Sequence, residues 1–256
     1  MTVFLAALRA EWTKARTVRS TWWSLVIAAA VSLGLAVMLG TQMAAGDVNM
    51  RADLVPVEIS FFPLLLAQVA LVAFGVLVVS AEYTTGTIRA SLTATPRRGT
   101  FLAAKALVAA GIAAVASVVV TFSSFFAVQL PLGERGASFS DPGVTGAVLG
   151  ACLYLTMMCA FAMGVATMLR SSALSLGILL PLLFLNSQGL ASIPAIRSVT
   201  QYLPDQAGAG MMRVSDKGTF FLGRLDFGPG VAFAVLAAWV GIALAGGYLS
   251  LRRRDA

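Results

Sequence analysis

Six uncharged apolar blocks divide this chain, and they leave it few ways to fold. They run from Ser20 to Gly46, Ile59 to Ala81, Ala106 to Gly133, Pro142 to Leu169, Ser171 to Ile196 and Phe227 to Leu251. Each exceeds the roughly 20 residues with which a helix crosses the hydrocarbon core of a bilayer. Of the 256 residues 59% are hydrophobic and 11% charged, whereas an ordinary soluble domain has about 45–50% and about 25%. A water-soluble globule is therefore excluded. The first block follows a basic segment, is longer than a signal-peptide core and lacks a small-residue cleavage pattern, so it reads as a retained span. The chain reads as an all-α integral membrane protein. Residues 1–20 form an amphipathic interfacial helix, and residues 21–256 form a six-helix transmembrane domain with spans at about 21–45, 59–81, 102–131, 143–169, 172–194 and 229–251.

Six spans put both termini on one side of the membrane, and the charges say which side. Twelve bases and three acids fall on the side of the termini, for a balance of +9, while the other side carries −2. By the positive-inside rule both termini are cytoplasmic and the protein belongs in the inner, cytoplasmic membrane. The overall charge of +7 does not point to nucleic acid, because the bases sit at span ends and not on a soluble face.

Three segments are longer than a connection needs. On a helix, Met1, Leu5, Leu8, Trp12 and Ala15 share one face with Arg9 and Arg16 beside it, the pattern of a helix lying in the headgroup plane. After span two, Gly86 permits a sharp exit and Pro96 pushes Thr95 out of helical geometry, so Thr87 to Thr93 is expected to be a short helix under the membrane. Outside, the long segment from Pro194 to Gly228 is expected to form short re-entrant helices before the last span.

The residue inventory removes most chemistry. The chain has no histidine, and none of the six apolar blocks carries a charged side chain, so proton- or sodium-coupled transport lacks the group it needs. Cys152 and Cys159 share a helix face as small buried hydrophobes. Paired buried carboxylates are missing, and enzymatic readings become poor. The three lysines precede Ala15, Ala106 and Gly218, so no GK[ST] phosphate loop exists. Energy for uphill transport has to come from a partner.

Polar residues inside the spans are few. Gln68, near the middle of span two, and Asn186 and Gln188 in span five are read as helix–helix hydrogen bonders, with a substrate path as the sharper alternative. Gly146 and Gly150 form a GxxxG, and Ala237, Gly241 and Ala245 continue a small-residue pattern in span six, both suited to close helix approach. Arg97 and Arg98 are lipid-headgroup anchors or part of a working loop. Glu82 runs against the local positive charge, which demands a cationic partner within the loop or on another protein.

These features together resemble a known family. EWTK (Glu11 to Lys14), RSTWW (Arg19 to Trp23), EYTTGTIRASLTATPRR after span two and YLPDQAG (Tyr202 to Gly208) are similar to the permease subunit of ABC type 2 transporters, in particular the actinobacterial drug and antibiotic exporter group. The resemblance implies a non-enzymatic half-transporter of the type V exporter kind. It would dimerise with a second copy of itself or a paralogous permease and bind two copies of a separate ATP-binding subunit, which would hold ATP and Mg, leaving no cofactor in this chain. Glu82, Tyr83, Gly86, Thr87, Ile88 and Arg89, with Arg97 and Arg98 after them, would form the coupling helix and its flanks, seated in a groove of the ATPase. Glu11, Trp12 and Lys14 would belong to the interfacial connecting helix. The implied substrate is an amphiphile such as a drug, antibiotic, peptide or lipid-like molecule. Rival readings are a non-transporting membrane anchor or assembly factor and an ion-coupled transporter.

Overall fold

The computed structural model describes residues 2–17, 19–46, 56–187, 194–214 and 225–253. In chain order the helices are α1 (Thr2–Thr17), α2 (Arg19–Ala45), α3 (Pro56–Ile59), α4 (Leu64–Thr84), α5 (Ile88–Ala94), α6 (Arg98–Leu132), α7 (Val144–Leu169), α8 (Ser172–Ser187), α9 (Pro194–Thr200), α10 (Pro204–Gly210) and α11 (Pro229–Arg253). No strand occurs among the described residues.

Among the described residues five helices are long and apolar enough to cross a membrane: α2, α4, α6, α7 and α11. The fifth expected span, 172–194, is represented by the 16-residue apolar helix α8, with residues 188–193 outside the described set. Two boundaries differ from expectation for local reasons. The second span starts at Leu64 and not near residue 59, because Pro63 has no amide to donate and the chain from Ser60 to Leu66 bonds back over three residues instead of four. Gln68 therefore stands in the second turn of α4, near its N-terminal end and not mid-span. The third span begins early, at Arg98, directly after the Pro96 break.

The middle of the bundle is α7, which packs against α4, α6 and α11. Its Leu155, Met158, Cys159, Ala162, Met163 and Ala166 are fully enclosed. Two glycines set how near its neighbours come. A Cβ on Gly75 of α4 would stand 2.4 Å from the Cys159 carbonyl oxygen, and one on Gly164 of α7 would stand 2.6 Å from the Ala243 carbonyl carbon of α11. Of the GxxxG, Gly146 faces open space, as Gly241 does, but Gly150 makes a close approach of its own, since a Cβ there would run into the Met211 backbone at the end of α10. Gln68 is buried and hydrogen-bonded to Tyr154 of α7, whose ring lies against Gly208 of α10.

The short helix α10 is buried along nearly its whole length and packs on α7 and α11, and Trp239 of α11 donates its indole N–H to the Tyr202 carbonyl at 2.8 Å. Gln129 of α6 donates to the Pro56 carbonyl (2.9 Å) and the Ser60 hydroxyl (2.8 Å) and accepts from the Ala137 amide (2.7 Å), joining the α3 turn to the loop after α6.

Helix α1 lies on α6. Ala7 and Glu11 face the protein, while Val3, Leu5 and Trp12 are exposed. Leu8 and Ala15 are half-buried, so the expected apolar face is split between the protein and the outside. Trp22 of α2 donates to the Ala15 carbonyl at 3.0 Å, satisfying one of the last carbonyls of α1.

Candidate functional site

The site grows from the last turn of α4. Thr84 and Thr85 turn their hydroxyls back onto the Ser80 and Ala81 carbonyls. The chain then leaves the helix at Gly86, whose φ of +71° lies in the left-handed region that only glycine enters cheaply. Ile88, 4% exposed, anchors the first turn of α5. Ser91 lies three residues on and so shares the face of Ile88, while Arg89, Ala90, Thr93 and Ala94 are exposed. Thr95 then takes an extended conformation (φ −130°, ψ 82°) ahead of Pro96, and α6 begins.

Four charged side chains meet behind this short helix. Glu11 and Lys14 share one face of α1 by their i, i+3 spacing. Glu82 comes from α4, and Lys105 from the second turn of α6. The Lys14 ammonium donates to Glu11 Oε1 (2.9 Å) and Glu82 Oε1 (2.8 Å), and the Lys105 ammonium donates to Glu11 Oε2 (2.6 Å) and Glu82 Oε1 (2.8 Å). Each lysine thus touches both carboxylates, and the cluster is neutral overall. Lys105 is 3% exposed, Glu11 and Glu82 7% each, a depth at which unpaired ions would be prohibitive.

Lys105 also stands 5.2 Å from the centre of the Phe101 ring. The half-exposed Lys14 reaches further, to Ser91 Oγ at 3.1 Å, which ties α5 into the cluster. Burial would lower the Lys14 pKa, but its hydrogen bonds to Glu82 and Glu11 and their negative charges raise it above its ordinary 10.5.

The neighbour of Glu82 is anchored elsewhere. Tyr83 lies under the Arg170 guanidinium, 5.3 Å from its ring centre. Arg170 caps α7 in a left-handed conformation (φ 58°) and donates to the Ser250 carbonyl at 3.0 Å. Arg98 donates to the next carbonyl, Leu251. Consecutive residues at the end of α4 are thereby fixed to α1 and α6 on one side and to α7 and α11 on the other. Between α1 and α5 runs a cleft of about 330 Å³ walled by Ala7, Ala10, Ala90, Ala94 and Phe101, with Glu11, Lys14 and Ser91 along it.

Of the residues singled out from sequence, Glu11, Lys14 and Glu82 come together, and Gly86, Thr87, Ile88 and Arg89 form the exit and first turn of α5. Glu82 finds its cations within the chain. Trp12 points away from the cluster, 45% exposed, Arg97 is exposed, and Gln68 lies toward the opposite end of α4 from Glu82. Asn186 lies in the last turn of α8 with its side chain outside the described residues, and Gln188 lies outside them altogether. Sequence reasoning passed over Lys105, Ser91 and Arg170. A single lysine two turns into an apolar helix was the available signal for the first.

Comparison with known proteins gives one result that bears on this arrangement. A family model described as ABC-2 family transporter protein matches residues 7–186, which include α1, the exit from α4, α5 and Lys105. No curated protein matches the chain.

Proposed function

This chain belongs to the ABC-2 transporter family, and we propose that it is the membrane subunit of an ATP-driven exporter of amphiphilic substrates. Members of the family are membrane components of transport that normally work with an ATP-binding subunit. The observation that carries the proposal is α5: a short helix set off from the bundle by Gly86, exposed on the side of Arg89, Ala90, Thr93 and Ala94, and braced from behind through Ser91 and Lys14 to Glu82, Glu11 and Lys105. Such a helix presents a docking surface while passing any push directly into α1, α4 and α6.

In this reading α5 is the coupling helix and both termini are cytoplasmic, as the +9 to −2 charge division requires. Helix α8 supplies the fifth of six spans, and α9 and α10 are the external helices. Two copies of the chain face one another, since six helices enclose little room for a large amphiphile and symmetric self-association is the commonest oligomer. ATP and Mg bind the partner subunits. Their closure moves the coupling helices, and the braced helix ends carry that displacement into the bundle as a rigid-body change. The test is to purify the chain from native membranes together with the ATP-binding subunit it retains. Two copies of each and hydrolysis stimulated by the permease support the proposal; a chain that neither retains nor stimulates an ATPase defeats it.

A further inference from the structure

We propose that the end of the bundle where α6 begins and α11 finishes is a binding site for an anionic phospholipid, with its phosphate at Arg97, Arg252 and Arg253 and its acyl chain along the adjoining furrow. The proposal does not depend on the transport reading.

Several observations converge there. Gly99 in the first turn of α6 sits against the Tyr248 ring, with a Cβ position 3.4 Å from the ring edge, so the two helices touch at this level. Arg98 and Arg170 donate to the Leu251 and Ser250 carbonyls and cap the negative end of α11. Beyond them Arg97, Arg252 and Arg253 are all exposed, and Arg252 lies over the Tyr248 ring at 5.7 Å, which holds its guanidinium on the α6 side of the helix. Glu11 and Glu82, the carboxylates of the charged cluster by α5, are engaged by lysines; Asp255 lies outside the described residues.

What distinguishes a lipid from a free anion is the surface next to the arginines. On α11 the exposed residues Ile242, Ala245 and Leu249 form one stripe that ends at Arg252 and Arg253, and on α6 Gly99, Ala103 and Leu107 form another at i, i+4 spacing. Ile242 is 66% and Leu107 56% exposed, so each stripe offers apolar surface to hydrocarbon immediately above the guanidinium groups. A charged head over an apolar furrow matches a phospholipid, and guanidinium pairs suit phosphate oxygens.

The experiment is native mass spectrometry of the full purified chain with equimolar phosphatidylglycerol and phosphatidylcholine of identical acyl chains. The expected result is preferential retention of phosphatidylglycerol, reduced roughly fivefold for each arginine removed in Arg97→Gln and in Arg252→Gln/Arg253→Gln, with phosphatidylcholine retention unchanged. Arg9→Gln, which removes an exposed base from α1, should leave the preference intact. Equal retention of the two lipids, the same loss in Arg9→Gln, or displacement of phosphatidylglycerol by millimolar inorganic phosphate would each overturn the assignment, the last by making the site one for free phosphate. Unchanged retention in the arginine variants would place the lipid elsewhere.

Discussion

Lys105 on α6 holds Glu82 of α4 at 2.8 Å across 23 residues of chain that include the whole of α5, so the base of that segment is closed by one buried ion pair. Because Lys105 also bonds Glu11, at 2.6 Å, its removal leaves Glu11 and Glu82 to share the single charge of Lys14, with one buried negative charge in excess. Lys105→Met is expected to cost about 3–5 kcal/mol, the range for breaking a buried pair from one side. Lys105→Met/Glu82→Gln, which restores neutrality, should recover part of that loss. Thermal unfolding of the three detergent-purified proteins measures this, and a double variant no more stable than Lys105→Met would show that the charges are not coupled.

Gly86 isolates backbone geometry from packing. A Cβ there meets nothing within 4 Å, so any effect of substitution comes from its φ of +71°. Gly86→Val should cost about 1–2 kcal/mol locally and misdirect α5, whereas Gly86→Asn, which tolerates the left-handed region, should be milder. The spans are untouched, so membrane insertion should be equal in both while retention of the ATPase falls only in the valine variant. Equal retention would mean that the exit angle is immaterial.

Close packing makes a prediction that runs against the motif. Gly75→Ala places a methyl 2.4 Å from the Cys159 carbonyl oxygen, a backbone atom that cannot swing aside, and should destabilise the bundle by about 1–3 kcal/mol. Gly146→Ala, within the GxxxG, meets nothing within 4 Å and should be neutral in the monomer. Comparing unfolding midpoints decides it; a costly Gly146→Ala would assign that face to a contact with a second copy.

Lys14 gives the cluster a pH limit. Its pKa is raised above 10.5 in the folded protein, so its contribution is complete below that value and is lost as pH rises through the raised value. Attachment of α1 should therefore be constant across neutral pH, weaken in acid as Glu82, the partner of Lys105 and Lys14, is protonated, and on the alkaline side weaken only in strong alkali, with that alkaline step missing in Lys14→Gln. Fluorescence of an environment-sensitive label at Ala10, on the wall of the cleft, follows it.

What the sequence disclosed and what it withheld divide by range. The spans were legible because each is a continuous apolar run, and the exit at Gly86 and the break at Thr95 and Pro96 were legible because backbone restrictions are local. The cation for Glu82 was deducible as a need but not as a residue: Lys14 is 68 positions away, and nothing in a linear pattern brings α1 beneath α6. The same limit explains Trp12. Periodicity grouped it with Leu5 and Leu8 without revealing that the polar Glu11 and Lys14 side turns toward the protein. Gly75 and Gly164 were hidden for a related reason, since each works alone against a backbone on another helix and makes no repeat of its own.

In the proposed exporter α5 is the surface that meets an ATP-binding subunit. In a background lacking Cys152 and Cys159, a photoactivatable thiol crosslinker attached at Thr93→Cys, on the exposed side of α5, should capture that subunit in native membranes, while the same reagent at Ser140→Cys in the loop before α7 should not. Capture of the ATP-binding subunit from position 140, or from neither position in membranes where the complex is active, would contradict the coupling assignment.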